Sequence, residues 1–370
     1  MPIFDQGYQH WDGELGGRFR RLCAITRHGV RTGAKNRWLR TLLLVAWTPA
    51  LVMTVMLCMW GLLERQSALL ARLGPLLAVM LSQRILTDPR HYRVEVWTLA
   101  YHYFLAAELW FSMIVILFVG PNLISGDLRF NALPLYFSRP LRRVDYFLGK
   151  LGIIFAFMAM VVIVPSIIAY ILGLAFSLDI TILRDTFPIL LSSIAYGLII
   201  TVSAGLLVLA MSALTRSSRY VALMWIGLWI VSSVSGAVLD QAQREQRQHA
   251  YFKYVMATRP IRRARANPRT FKYADPPDFE KTELEASQTD WRPAVSYTQN
   301  LSRLGDELLG TQATWAALSK LAPPAVQTDV LLAYEGPQYP WAWSAGILAA
   351  LAALSMLILN FTVKSLDRLK

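Results

Sequence analysis

The sequence predicts an all-α membrane protein with six transmembrane helices, an N-terminal interfacial helix and a large extracytoplasmic insert between helices 5 and 6. Three observations carry that expectation. Of 370 residues, 55% are apolar and 16% charged, and the mean hydropathy is +0.39, well outside the range of soluble globular chains. Six segments are long and apolar enough for a hydrocarbon core of about 30 Å, which needs about 20 helical residues: 41 to 63, 98 to 120, 147 to 176, 187 to 213, 220 to 239 and 341 to 363. Most of the 37 Lys and Arg residues, set against 24 Asp and Glu, flank those segments. Basic flanks orient a membrane protein, so the net charge of +13 points to lipid and away from nucleic acid.

Residues 1 to 40 form a polar, basic segment without the short apolar core and small-residue cleavage site of a signal peptide. Within it, Arg18 to Leu39 mixes Phe19, Leu22, Ile25, Val30 and Trp38 with arginines. That composition suits a helix lying in the interface, apolar side down and cations toward lipid phosphates. An ordinary basic flank explains it equally well. The two cysteines, Cys23 and Cys58, fall in this segment and inside a span, an arrangement that does not suggest a disulfide framework.

Residues 41 to 239 hold spans 1 to 5. Basic residues before the first span, from Arg18 to Arg40, place the N-terminus inside the cell. Six crossings then put the 120 to 150 connector, the Arg216 to Arg219 turn and the tail with Lys364, Arg368 and Lys370 on that same side, and all three are basic. The weaker segment 68 to 86 carries Arg72, Gln83 and Arg84 with Gly74 and Pro75. As a seventh span it would turn the connector's arginines outward, so it reads as interfacial or partly inserted. Prolines 49 and 165 fall inside spans 1 and 3, where they free backbone carbonyls and kink helices.

Polar residues within spans are candidates for function because hydrocarbon penalises them. Glu108 is the acidic outlier. In a span that starts near 98 it lies about 15 Å deep at 1.5 Å per residue; in a span from 104 to 124 it lies at the outer interface beside Tyr103 and Trp110. His102 is six residues earlier, on another face. Ser232, Ser233 and Ser235 make a polar patch in span 5, suited to a pathway, a subunit contact or ordinary packing. Ser232 with Gly236, and Gly346 with Ala350, have the four-residue spacing of small residues that lets helices approach.

Residues 240 to 340 form the insert, followed by 341 to 370 with span 6 and the tail. From 241 to 272 the insert has nine Lys or Arg against one acid, Glu245; from 273 to 340 it has four against ten acids. Its many prolines and glycines predict short helices and loops. Leu301, Leu304, Leu308 and Leu309 within 297 to 309 have the spacing of an amphipathic helix, one that rests on the outer face or caps the spans.

The chain has no GxxxxGK[ST] phosphate loop, HExxH, GxSxG or CxxC. Nucleotide chemistry, if any, must then come from another polypeptide. The connector is built unlike a plain link: Arg129, Arg139, Arg142 and Arg143 alternate with Phe130, Leu133, Leu135, Tyr136 and Phe137, between prolines 121, 134 and 140. Such residues favour a compact interface with a partner.

The connector's order, Leu123-Ile-Ser-Gly-Asp127-Leu-Arg, then Asn131-Ala-Leu-Pro-Leu-Tyr-Phe-Ser-Arg-Pro140, then Asp145-Tyr-Phe-Leu-Gly-Lys150, resembles that of the permease subunits of type-2 ABC exporters. Asp127, Leu133, Pro140, Gly149 and Lys150 match the family's order, whereas Asn131-Ala132 stands where Gly-Thr is usual. The resemblance covers most of the chain, although the insert is much longer than the family's short re-entrant hairpin. It implies a coupling helix at 128 to 143, with Asp127, Arg129, Phe130, Leu133, Tyr136, Phe137, Arg139, Pro140, Arg142 and Arg143 at the ATPase interface. It implies partners too: two ATPase subunits that bind ATP and Mg, so that this chain needs no cofactor, and a second permease copy or sister permease. The expected location is a bacterial inner membrane with both termini cytoplasmic, and the insert is free to meet an extracytoplasmic protein. Two other readings stand beside this one. One is a membrane-bound, lipid-acting enzyme that uses Glu108 or His102; the other is a non-transporting anchor or assembly subunit.

Overall fold

The computed structural model describes residues 17–64, 88–132, 142–177, 181–265, 291–319 and 339–366, and every regular element among them is helical. Six helical stretches are long and apolar enough to cross a membrane: Arg37–Glu64, Pro89–Arg129, Arg143–Phe176, Thr181–Leu214, Ser218–Leu239 and Trp341–Thr362. The chain is a membrane-spanning protein. The segment 68 to 86 lies outside the described residues.

The N-terminal region is two helices, α1 (Arg18–Gly33) and α2 (Arg37–Ala46), joined by a tight turn. Asn36 ends the turn by capping α2, its Oδ1 accepting from the Trp38 N–H at 3.0 Å. Phe19 is 77% exposed, while part of the apolar side of α1 is turned toward protein. It packs against α6 (Arg143–Met158). Ile25 abuts Gly149, Gly29 abuts Ile153 and Gly33 abuts Phe157. Equal four-residue steps on both helices mean that they run side by side in the same direction. The glycines permit this approach: a Cβ on Gly29 would come within 2.1 Å of Ile153. Arg20, Arg27 and Arg31 remain on the exposed side of α1.

The first span is α2 followed by α3 (Thr48–Glu64), with the helix interrupted at Trp47. Pro49 therefore sits in the first turn of α3, where its missing N–H costs nothing, and the interruption just ahead of it falls inside the span Arg37–Glu64. The third span also contains the expected irregularity. Between α6 and α7 (Val164–Phe176) the chain makes a π-helical turn over Ala159–Ile163, just ahead of Pro165. A proline cannot donate to the carbonyl one turn back and its ring pushes that turn open. The Trp47 indole N–H reaches the widened turn, donating to the Met160 carbonyl at 3.1 Å.

The second span is α4 (Arg93–Val119) followed, after a bend at Gly120-Pro121, by α5 (Asn122–Arg129). The fourth, α8 (Thr181–Leu214), is the hub of the bundle. It packs against α4, α5, α6 and α7 and against three later helices. Its apolar window is 67% buried, against 17% for the fifth span and 22% for the sixth, so those two offer their sides to lipid or to another chain.

The fifth span belongs to α9 (Ser218–Arg265), a single helix of 48 residues. It runs on past Leu239 for about 39 Å at 1.5 Å per residue. The prediction of short helices and loops from residue 240 fails over this stretch. No Gly or Pro interrupts the chain between Gly236 and Pro260, and the intervening Gln, Arg, Ala and Glu residues favour helix. After residues 291–295 come α10 (Tyr297–Leu309) and α11 (Thr311–Ser319), and the sixth span is α12 (Trp341–Leu366).

Spans 1, 2 and 4 meet the end of span 3 at a buried ion pair, away from the connector. The Arg93 Nε and Nη2 donate to Glu64 Oε1 and Oε2 at 3.0 and 2.9 Å. The Trp60 indole donates to Glu64 Oε1 at 2.8 Å and the Ser177 hydroxyl to Oε2 at 3.4 Å. Arg93 Nη1 reaches Thr181 Oγ1 at 3.1 Å and Asp185 at 3.5 Å. Both ionic side chains are only 4% exposed. Removing one partner of such a pair strands the other's charge, so Arg93→Met is expected to cost about 3–5 kcal/mol. Arg93→Met combined with Glu64→Leu should recover most of the loss. Thermal unfolding of the two variants in detergent checks both values.

Candidate functional site

The connector's two ends are brought together by one carboxylate. Asp127, near the end of α5, accepts the Tyr146 hydroxyl at 2.6 Å and pairs with Lys150 Nζ at 2.7 Å. Tyr146 and Lys150 are one helical turn apart on α6, so both reach the same oxygen, and Nζ lies 5.3 Å from the centre of the Tyr146 ring. The neighbouring Gly149 carbonyl accepts the Thr26 hydroxyl of α1 at 3.2 Å. Three of the residues that carry the resemblance meet here: Asp127 and Lys150 form a clasp, and Gly149 is the bare point where α1 rests on it.

The bend that leads into this clasp is held from α8. Ser212 Oγ accepts the backbone N–H groups of Ile124 and Ser125 at 3.1 and 2.9 Å and donates to the Pro121 carbonyl at 2.9 Å. A helix start leaves such N–H groups without intrahelical partners; here a distant serine supplies the cap. Gly120 is required by the close approach, since a Cβ would meet Val208 at 2.5 Å. At the other end of α5 the Ala132 N–H donates to the Asp127 carbonyl at 2.9 Å, with Asn131 in the left-handed region at φ 50°. Asn is among the few side chains that tolerate that conformation. The departure from Gly-Thr in the family order thus falls where the backbone most favours Gly, and Asn is a workable substitute.

Of the residues predicted for the partner interface, Phe130 is 77% exposed, with the Arg129 guanidinium 5.5 Å from its ring centre. Arg142 is exposed and Arg143 half-buried at the start of α6. Leu133, Tyr136, Phe137, Arg139 and Pro140 lie outside the described residues. Tyr146 and Ser212 were missed by sequence reasoning. Tyr146 had a signal, a phenol one turn before the lysine it works with; Ser212 had none, being one serine in a long apolar helix.

The predicted intramembrane polar residues are arranged around α10. This helix is about 20 Å long, too short to cross the bundle, and it enters between α4, α8, α9 and α12. Its end is marked by the Ser192 hydroxyl, which donates to the Leu308 carbonyl at 2.6 Å, and its start by a 3.0 Å bond between Ser203 and the Tyr297 hydroxyl. It therefore runs antiparallel to α8 and starts deep. Ser232 accepts the Tyr297 N–H at 3.3 Å, Ser233 contacts Thr298 at 3.5 Å, and Gly236 leaves room for Ser296. Ser232 and Ser233 of the serine patch are the seat of α10; Ser235 adds no hydrogen bond to it among the described residues. At the other small-residue pair, nothing among the described residues lies within 4 Å of a Cβ at Gly346.

His102 pairs with Asp306 of α10 at 2.9 Å. Asn300 bonds the Ala294 and Ser296 carbonyls at 2.7 and 2.8 Å and accepts from Ser344 of α12 at 2.9 Å. Arg303 bonds the Tyr339 carbonyl at 2.8 Å and Glu307 at 3.0 Å. Burial pushes the Tyr339 phenol above its ordinary range, with Ser344 and then Arg303 acting against the shift. Glu108 is fully buried within the bundle.

The chain matches no protein-family model, and a search of curated proteins returns no match.

Lys150→Met leaves Asp127 with the Tyr146 hydroxyl alone, and the loss of a charge-assisted bond is worth about 1.5–3 kcal/mol. The expected sign is faster proteolysis between residues 129 and 142, with a smaller effect for Asp127→Asn. Limited proteolysis in detergent, with the cut sites read by mass spectrometry, checks it.

Proposed function

We propose that this chain is the membrane permease subunit of an ATP-powered exporter, working with two copies of a separate ATPase and with a second permease. The observation that carries the reading is the Asp127–Tyr146–Lys150 clasp. It fixes both ends of a basic, aromatic connector to the bundle while Arg129, Phe130 and Arg142 face outward. A connector held this way transmits force, since a push on it is delivered to spans 2 and 3 together instead of being absorbed by a slack loop. The clasp, the bend and the Gly-Lys entry to span 3 also follow the residue order that resembles type-2 ABC permeases.

In this reading the connector faces the cytoplasm of a bacterial cell and seats in a groove of the ATPase, which binds ATP and Mg. The exposed flanks of α3 and α9 suit the second permease and lipid. The deep helix α10 belongs to the extracytoplasmic side. The enzyme reading is less well supported, because His102 is turned to Asp306 and does not meet Glu108.

Purification from membranes in mild detergent should bring down a subunit with a Walker-type phosphate loop. Changing Tyr136, Arg139 and Arg142 together to alanine should cut its recovery roughly tenfold or more, as expected when interface anchors are removed, with the permease's unfolding temperature unchanged. A stable wild-type preparation with no nucleotide-binding subunit overturns the exporter reading.

A further inference from the structure

Glu108 lies in the middle of α4, about 22 Å of helix from Arg93 and about 16 Å from Val119. It has 0% exposure, and neither carboxyl oxygen has a hydrogen-bond partner among the described residues. One turn further on, Ser112 is also 0% exposed, with its hydroxyl equally unpartnered. The buried cations of the described residues are Arg93, Lys150 and Arg303, and each already has a carboxylate of its own in Glu64, Asp127 and Glu307. His102 is likewise taken by Asp306. Among the described residues, Glu108 is a buried acid whose carboxyl oxygens meet no cation.

We propose that Glu108 is a proton-binding site in the interior of the membrane, loaded while it is sealed within the bundle, with Ser112 one helical turn away. The ligand is a proton because the alternatives fail on chemistry. A hard metal ion takes about six or more oxygen ligands, whereas this position has two carboxyl oxygens and one hydroxyl to give. An organic cation would have to be stripped of water to meet a single carboxylate, a cost that one ion pair does not repay. A movement of the helices packed against α4 that admits water lets the carboxyl O–H bond break; the proton passes to that water and the carboxylate remains on Glu108. The inference does not rest on the exporter reading, and its test requires no ATPase.

The full chain in phosphatidylcholine vesicles is treated with N,N′-dicyclohexylcarbodiimide, an apolar reagent for protonated carboxyls within bilayers. The acid proton moves to one nitrogen, the carboxyl oxygen bonds to the central carbon, and an acyl shift to nitrogen leaves a stable N-acylurea. Peptide mass spectrometry should find the adduct on Glu108, and a water-soluble carbodiimide should leave that residue unmodified. Glu108 unmodified by the apolar reagent, or modified equally by the soluble one, overturns the proposal. Glu108→Gln keeps the size and neutrality of the loaded group, so it should unfold within a few degrees of the parent and lose the infrared carbonyl band of a carboxylic acid. A spectrum unchanged by the substitution also overturns it. Should that variant not fold, labelling of the unaltered chain still decides the matter.

Discussion

A polar group carried into hydrocarbon must find its partner within the protein, and the positions where helices bend, end and join in this chain follow from that requirement. The bend at Gly120-Pro121 exposes two N–H groups, and Ser212 meets both. The π-helical turn ahead of Pro165 has a carbonyl that the Trp47 indole reaches. The start of α10, the most exacting case, has its backbone and its tyrosine hydroxyl met by Ser232 and Ser203 from two different spans. Each serine in these apolar helices that accepts such a bond removes a penalty of a few kcal/mol. In return, each fixes the register of two elements distant in sequence.

The six spans were legible in the sequence because the signal is additive over about 20 residues and survives errors of a few positions at either end. The clasp was half legible: Asp127, Gly149 and Lys150 stood out through a residue order, but the spacing gave no hint that one lysine and one tyrosine share a single carboxylate oxygen. What escaped altogether were pairings between residues far apart. Glu64 stands just past the predicted first span and Arg93 ahead of the second, and nothing local says that they meet. Similarly, His102 and Asp306 are separated by most of the chain. The amphipathic pattern of 297 to 309 correctly marked a helix, yet periodicity reports only that one face is apolar. Whether that face meets lipid, water or a cleft between spans depends on Ser203, Ser232 and Gly236, which are unremarkable in isolation.

Glycine placement explains why α1 is a side-by-side partner of α6 and not a helix floating on lipid. A basic helix with one apolar side is satisfied by either arrangement as far as burial goes. Contact with α6 prevails because Gly29 and Gly33 on one helix and Gly149 and Gly152 on the other remove the side chains that would hold the axes apart. Without a hydrophobic force between helices in lipid, such close approach is a main source of association. The arginines then face away from the bundle, where their charge is solvated.

Span 2 connects all of these features. Near one end Arg93 joins it to spans 1 and 4, and past the other end Asp127 joins it to span 3. Between them His102 ties it to α10 and Met113 accepts the Trp225 indole of α9 at 3.0 Å. A helix anchored by ion pairs at both ends moves as a unit more readily than it bends. Under the proposed function, a displacement imposed at the connector would therefore be felt along the whole of α4, including at the contact that seats α10. Glu108 stands on that same helix between the His102 and Met113 attachments, so a shift of α4 changes its surroundings. Among the described residues its carboxyl is buried without a hydrogen-bond partner, and a polar group without a partner responds to a small change in access far more than a paired one does.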